Sequence, residues 1–514
     1  MLLNTKGYYW DDWGLLGDFD FHTMNRQFVE NGNIWYGYFE WIFISLQPYG
    51  IFAFRIFTFC AFFACGCMLY QILKPLQILK TYELFFITLL FLLLPFNTIS
   101  RNILINAPYT LCYLLFFTGF YLLSRSVAQS ESTPLESSPP RPQSSQITLA
   151  RTLTRILTLT LFFVSFTMNS LLIFYALPLA YLLYTTRSYT RVRAFLNFLA
   201  RHIDFLILPL LFYALKMMFF KPYGLYEGYN AISAAGFFKA FIKVPLFSLS
   251  HLIQADFLLL GGVGLLATFG ALCVLAYRLK AGQILKRDIW GLGVGFLIMW
   301  AGMFSYVVVF KYASFGNIED RFSILESLGC GVVVVFFINL LARRLALKLT
   351  LLLCLALGAI GYNISAQQTV FLAYVRQVGV FSQLMTNPIF LSHDTFRVYG
   401  DVNRDISDNS FYQLNGIYFK LSGKSDKHIS PEEQATPESR ALCKAWAVYG
   451  CSEYRGDIEH YGRIYITNKR AEQKSAYNFL ADMRLYLLHL FAPTAFLHKA
   501  QNRYEVAISP PPES

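Results

Sequence analysis

Long apolar runs separated by short polar breaks dominate the chain, near 50–71, 83–97, 103–124, 153–170, 171–185, 203–220, 253–279, 288–310, 323–342 and 345–362. A helix needs about 20 apolar residues to cross the hydrocarbon core of a bilayer. The pattern therefore predicts ten transmembrane spans, several of them short. The pair between 153 and 185, broken only by Met168-Asn169-Ser170, reads as two short helices or one long bent one. Residues 33–47 are aromatic and amphipathic, which suits a helix lying in the membrane interface.

The polar stretches divide the chain. Residues 1–49 read as an outer loop ending in the interfacial helix, and 50–124 as transmembrane helices. Residues 125–152 form a cytoplasmic linker whose Ser/Pro-rich part, 126–148, has the composition of disorder. Residues 153–362 are transmembrane helices with outer loops, and 363–514 an extracytoplasmic domain. That tail has an amphipathic stretch near 368–386, strand-like pieces near 413–420 and 461–467, and a helical pattern near 470–490. The expected fold class is mainly α: a polytopic helical membrane protein with a small α/β C-terminal domain.

Composition agrees. Of 514 residues, 55% are hydrophobic and only 14% charged, against about 25% charged in soluble domains. The net charge of +12 belongs to loop anchors rather than to a nucleic-acid partner. Counted alternately, one set of inter-span loops carries sixteen Lys and Arg and the other six. The positive-inside rule makes the first set cytoplasmic, so both 1–49 and the tail face outward. Seven of the nine cysteines lie in or beside apolar runs, while Cys443 and Cys451 in the tail can pair in an oxidising compartment. No cysteine or histidine spacing suggests zinc.

Candidate chemistry sits in the outer segments. In Tyr8-Tyr9-Trp10-Asp11-Asp12-Trp13-Gly14, Asp11 or Asp12 can act as general base toward an acceptor hydroxyl. The second carboxylate raises the pKa of the pair or helps hold a divalent cation. Trp13 and its aromatic neighbours offer stacking surfaces for sugar rings. In Asn317-Ile318-Glu319-Asp320-Arg321-Phe322, with Lys311 nearby, Arg321 can clamp a lipid phosphate and Asp320 can orient it. Arg101, in the turn Asn97-Thr98-Ile99-Ser100-Arg101-Asn102, is a second phosphate contact or an interfacial anchor. Lys221-Pro222-Tyr223-Gly224-Leu225-Tyr226-Glu227-Gly228-Tyr229-Asn230 opens an outer loop of about thirty residues and presents three tyrosines, Tyr223, Tyr226 and Tyr229, for sugar binding or as an interfacial rest. Arg55 lies inside an apolar run and must face protein or snorkel.

An acidic pair opening an outer loop, an interfacial helix behind it, many spans and an extracytoplasmic tail resemble the GT-C superfamily of membrane glycosyltransferases. Tyr-Tyr-Trp-Asp-Asp-Trp, with Phe-Val-Ser-Phe and Leu-Pro-Leu in the middle of the chain, is most similar to bacterial glucosyltransferases that decorate the O-antigen of lipopolysaccharide. The resemblance implies a bacterial inner-membrane enzyme with its active site facing the periplasm. Such an enzyme moves a sugar from a polyprenyl-phosphate carrier to a glycan or lipid acceptor, with inversion. Asp11 or Asp12 would be the base, and Arg321 with Lys311 or Arg101 would hold the carrier phosphate. In that family a transmembrane helix precedes the acidic pair, whereas ten residues precede Asp11 here, so the resemblance implies one further span upstream.

Two other classes compete. A polysaccharide polymerase or ligase calls for several arginines in one large late outer loop, and the 311–322 loop is short. A lipid-linked sugar flippase or other transporter calls for ionisable groups at mid-membrane and related halves. The central spans carry few ionisable residues, Arg55 and Lys216 among them. A non-catalytic scaffold is the remaining alternative.

Overall fold

The computed structural model describes residues 7–15, 20–131, 144–187, 191–280, 286–400, 410–445, 449–468 and 476–511. The segment expected as an outer loop is built from three helices: α1 (Asp12–Leu15), α2 (Phe21–Glu30) and α3 (Tyr36–Ser45). Asp20 caps α2, its carboxylate accepting from the Thr23 amide at 2.8 Å. There follow α4 (Gly50–Leu73), α5 (Thr81–Leu93), α6 (Ala107–Glu131), α7 (Ser144–Ser165), α8 (Leu171–Phe174), α9 (Ala176–Thr185), α10 (Val192–Arg201) and α11 (Ile203–Phe219). The second half of the bundle comprises α12 (Ala234–Leu260), α13 (Gly262–Lys280), α14 (Lys286–Val308), α15 (Glu326–Leu341) and the 40-residue α16 (Leu345–Leu384).

Ten spans are not what the helices show. Among the described residues five helices are long and apolar enough to cross a membrane, or six if the bent pair α10–α11 counts as one span. The reason is geometric. At 1.5 Å per residue the 13-residue α5 and the 16-residue α15 reach only about 20–24 Å, short of a hydrocarbon core of about 30 Å. The run 171–185 is broken into α8 and α9. The run 253–279 is divided at Gly261, whose positive φ of 63° ends α12 before α13 begins. The loop after Lys221 is correspondingly shorter than expected, because α12 starts at Ala234.

The 153–185 region resolves into separate helices, broken over 166–170, where the polar triplet Met168-Asn169-Ser170 lies. Of the expected linker, 126–131 and 144–148 are helical ends of α6 and α7, and its middle lies outside the described residues. α14 and α15 pack backbone to backbone. A Cβ on Gly329 would stand 2.5 Å from the Met299 amide nitrogen, so only glycine permits that approach.

The tail does not begin at 363. That position lies inside α16, which continues unbroken from the apolar segment into the C-terminal core. The C-terminal core comprises α17 (Pro388–Ser392), α18 (Phe411–Ser422), α19 (Pro437–Ala445), α20 (Ala476–Phe491) and α21 (Pro493–Gln501), and α16 packs there on α18, α20 and α21. The strands β1 (Thr395–Gly400), β2 (His428–Pro431), β3 (Gly462–Asn468) and β4 (Tyr504–Ser509) form a mixed sheet in the order β2-β1-β3-β4. β1 is parallel to β2 and β3, and β4 closes the edge antiparallel to β3. The expected strand at 413–420 is helix α18. Its Leu414, Ile417 and Tyr418 recur at helical spacing and are buried against the sheet. Cys443 and Cys451 form a disulfide.

Candidate functional site

Trp10 is held at φ 50°, a left-handed conformation that bulky side chains rarely adopt. The turn it makes starts α1, with the amides of Gly14 and Leu15 donating to the Asp11 carbonyl at 3.0 and 3.1 Å. Successive helical residues point about 100° apart, so the two adjacent carboxylates diverge.

Asp12 turns into the protein and is fully buried. Its Oδ1 accepts from the Ile105 amide at 3.3 Å, and Arg55 and Glu40 lie close by. Burial pushes its carboxyl up to about 7, against the pull of the Leu104 and Ile105 amides and Arg55. Glu40, also fully buried and beside Asp12, is pushed well above the usual carboxylate range by burial and by that neighbour.

Asp11 turns the other way, toward the junction between the bundle and the C-terminal domain, and is half-buried. Burial raises it to about 7 as well, while Arg321 and a hydrogen bond from the Tyr412 hydroxyl draw it down. Its Oδ1 has no hydrogen-bond partner among the described residues, and neither has Nε of Arg321. Arg321 lies over the Trp10 ring at 4.7 Å and the Phe322 ring at 4.9 Å. Lys311 stands on the same side. Its Nζ donates to the Tyr229 hydroxyl at 2.7 Å and sits 3.9 Å from that ring's centre. Burial lowers its pKa, Tyr229 opposes this, and Arg321 adds to it.

Tyrosines complete the surroundings. Tyr412 and Tyr449 from the C-terminal domain and Tyr226 from the 220–231 loop all feel the charge of Asp11. Tyr109 and Tyr306 from the bundle feel that of Arg321. The loop is pinned to the end of α2 by the Tyr223 amide donating to the Glu30 carbonyl at 2.9 Å. Two more left-handed residues flank the site: Phe310 (φ 59°) precedes Lys311, and Asn230 (φ 60°) follows Tyr229. Three strained turns beside three polar groups mark a place where geometry outweighs backbone comfort.

Thus the fold brings together Asp11, Arg321 and Lys311 of the residues singled out from sequence. The others are engaged elsewhere. Trp13 is 1% exposed, stacked on Tyr374 at 6.2 Å and donating to Gln377 Oε1 at 2.9 Å, so its ring faces protein. Arg101 donates to the Phe96 and Leu92 carbonyls at 3.2 and 3.4 Å and covers the Phe62 ring. Tyr223 points outward, 52% exposed.

Asp320 does not orient Arg321. Its Oδ2 accepts from the Ile99 amide at 2.6 Å and its Oδ1 from the Ser100 amide at 3.0 Å, joining the 97–102 turn to the 318–323 turn. Asp320→Ala strands two buried donors, each worth about 1–3 kcal/mol. A loss of about 2–6 kcal/mol is therefore expected in thermal or denaturant unfolding of the purified protein, and an unchanged midpoint would show that the two turns hold without it.

Nothing in the tail's sequence pattern sets Tyr412 and Tyr449 apart from its other tyrosines. Tyr226 and Tyr229 belong to the three loop tyrosines that the sequence offers for sugar binding or as an interfacial rest. Among the described residues no three His, Cys, Asp or Glu side chains converge as metal ligands. Compared with protein-family models, curated protein sequences and solved structures, the chain matches none.

Proposed function

We propose that this multi-pass helical protein is a glycosyltransferase that moves a sugar from a polyprenyl-phosphate carrier to a hydroxyl of a glycan or lipid acceptor on the outer face of a bacterial inner membrane. The observation that carries the reading is a half-buried carboxylate, Asp11, facing the cation Arg321, with a second cation, Lys311, on the far side of Arg321, in a setting of tyrosines. In the proposed step Asp11 accepts the proton of the acceptor hydroxyl as its oxygen attacks the anomeric carbon. The bond from that carbon to the phosphate oxygen breaks, its electron pair leaves on the phosphate, and the configuration inverts. Arg321 and Lys311 stabilise the growing phosphate charge. The tyrosine faces and hydroxyls suit a sugar ring, which presents both C–H and O–H surface. Asp12 is the positioning partner, holding α1 against Arg55 and the 104–105 amides.

The pH profile tests this assignment. A base must be ionised, so kcat/KM should rise with pH through about 7, the value to which burial lifts Asp11. Arg321→Gln removes a positive charge that lowers Asp11, and Tyr412→Phe removes a hydrogen bond that does the same. Both should therefore move the rising limb to higher pH. Arg321→Gln should in addition raise the KM for the carrier about 10–100-fold, the worth of a charged hydrogen bond. A limb that stays put in both variants, or an unchanged carrier KM in Arg321→Gln, would sink the respective role.

A further inference from the structure

α10 is a short helix with three different sides. At 100° per residue, Val192, Phe195, Leu196 and Leu199 share one face, and the first three are 79%, 40% and 57% exposed. Phe198, on the flank, is buried in the bundle core. Arg193, Asn197 and Arg201 take the remaining side, with Arg191 at the N-cap. The side chains of Arg191, Arg193 and Arg201 have no ion-pair partner among the described residues.

The apolar face has a continuation. α11 leaves α10 at 55° and carries the exposed Ile203, Ile207 and Leu210 at helical spacing. The exposed apolar side of α11, a 17-residue apolar helix of the bundle, faces acyl chains, so the α10 stripe extends a lipid-facing surface around a bend. The bend is also fixed. Arg155 of α7 donates to the Arg201 carbonyl at 2.8 Å and to both oxygens of Asp204 at 2.6 Å, with its guanidinium 5.2 Å from the centre of the Phe205 ring. One side chain thus satisfies an end carbonyl of α10 and grips the first turn of α11.

We propose that α10 is a rigid interfacial foot for anionic lipid. It lies in the headgroup layer of the leaflet where α11 begins, with Val192, Phe195 and Leu196 at the acyl boundary and Arg191, Arg193 and Arg201 on lipid phosphates. A soluble acidic protein would match the arginines but would not account for the apolar stripe running on into the lipid-facing side of α11. This inference is independent of the catalytic reading.

The test uses the full-length protein in a neutral detergent. Binding of phosphatidylglycerol, phosphatidylcholine and soluble glycerol 3-phosphate is measured by native mass spectrometry at two salt concentrations. Phosphatidylglycerol should bind in preference to phosphatidylcholine and weaken with salt. The combined variant Arg191→Gln, Arg193→Gln, Arg201→Gln should bind it about 100-fold less tightly, as expected for three surface charges, with the thermal midpoint unchanged. If that variant misfolds, Arg193→Gln alone should lose several-fold. Leu196→Ser should weaken both lipids. Equal phosphatidylglycerol affinity in wild type and the arginine variants would overturn the proposal. So would competition by glycerol 3-phosphate as strong as by the lipid, which would make this a soluble-anion site.

Discussion

Asp11→Asn is expected to lower glycosyl transfer by about 10²–10⁴-fold, the usual contribution of a positioned general base, while the KM for the carrier changes little. The amide keeps the size of the carboxylate and can still accept from Tyr412, so the tyrosine-lined surroundings should survive. What it loses is the capacity to take a proton. Asp12→Asn should behave differently. Its carboxylate faces Arg55, the 104–105 amides and Glu40 rather than the tyrosines. Neutralising it removes a negative charge that faces the fully buried Arg55, so the variant should lose thermal stability and a smaller part of its rate. Measuring both variants for transfer and for unfolding separates the roles. A larger rate loss in Asp12→Asn at unchanged stability would move the base to Asp12, and full activity in both would remove the base from this pair.

The second large effect is expected at Trp13. The indole joins α1 to the C-terminal domain: it stacks on Tyr374 of α16, lies 5.1 Å from the Tyr8 ring, donates to Gln377 and rests on α18. The contact with α18 is so close that a Cβ at Gly416 would stand 3.0 Å from the Trp13 main chain. Trp13→Ala removes a wholly buried aromatic side chain and strands the Gln377 acceptor, a cost of about 3–5 kcal/mol. Because the same contact sets Asp11 beside Tyr412 and Tyr449, activity should fall together with stability. Thermal unfolding and protease sensitivity of the region beyond 384 give the measurement. A variant as stable as wild type but inactive would reassign Trp13 to direct contact with substrate.

The apolar runs marked nearly every helix of the bundle, because burial in lipid or in a helical core imposes the same residue types. That shared chemistry is also why they overstated the spans. The largely apolar α15 lies mostly buried in protein, its Glu326 paired there with His251, whereas the more exposed α12 carries Lys239 and Lys243 and its part before 253 read as a loop. α16 shows a further limit, since its amphipathic second half looked like a new domain although the backbone never breaks. In the site, Asp11, Arg321 and Lys311 were legible because each is a charge at the edge of a greasy segment. Tyr412 and Tyr449 reach Asp11 only through tertiary docking by way of Trp13 and Gly416, and no local pattern encodes that. The separate directions of Asp11 and Asp12 depend on the left-handed turn at Trp10, which a tryptophan would not suggest.

The most direct test of the proposal follows the sugar itself. Purified protein in bilayers is given a polyprenyl-phosphate sugar labelled in the sugar, together with candidate glycan or lipid acceptors. Label should pass from the carrier to an acceptor hydroxyl with inverted anomeric configuration, and Asp11→Asn should hold it on the carrier. Label that stays on the carrier with every sugar and acceptor tried, or that moves equally well with Asp11→Asn, would contradict the proposal.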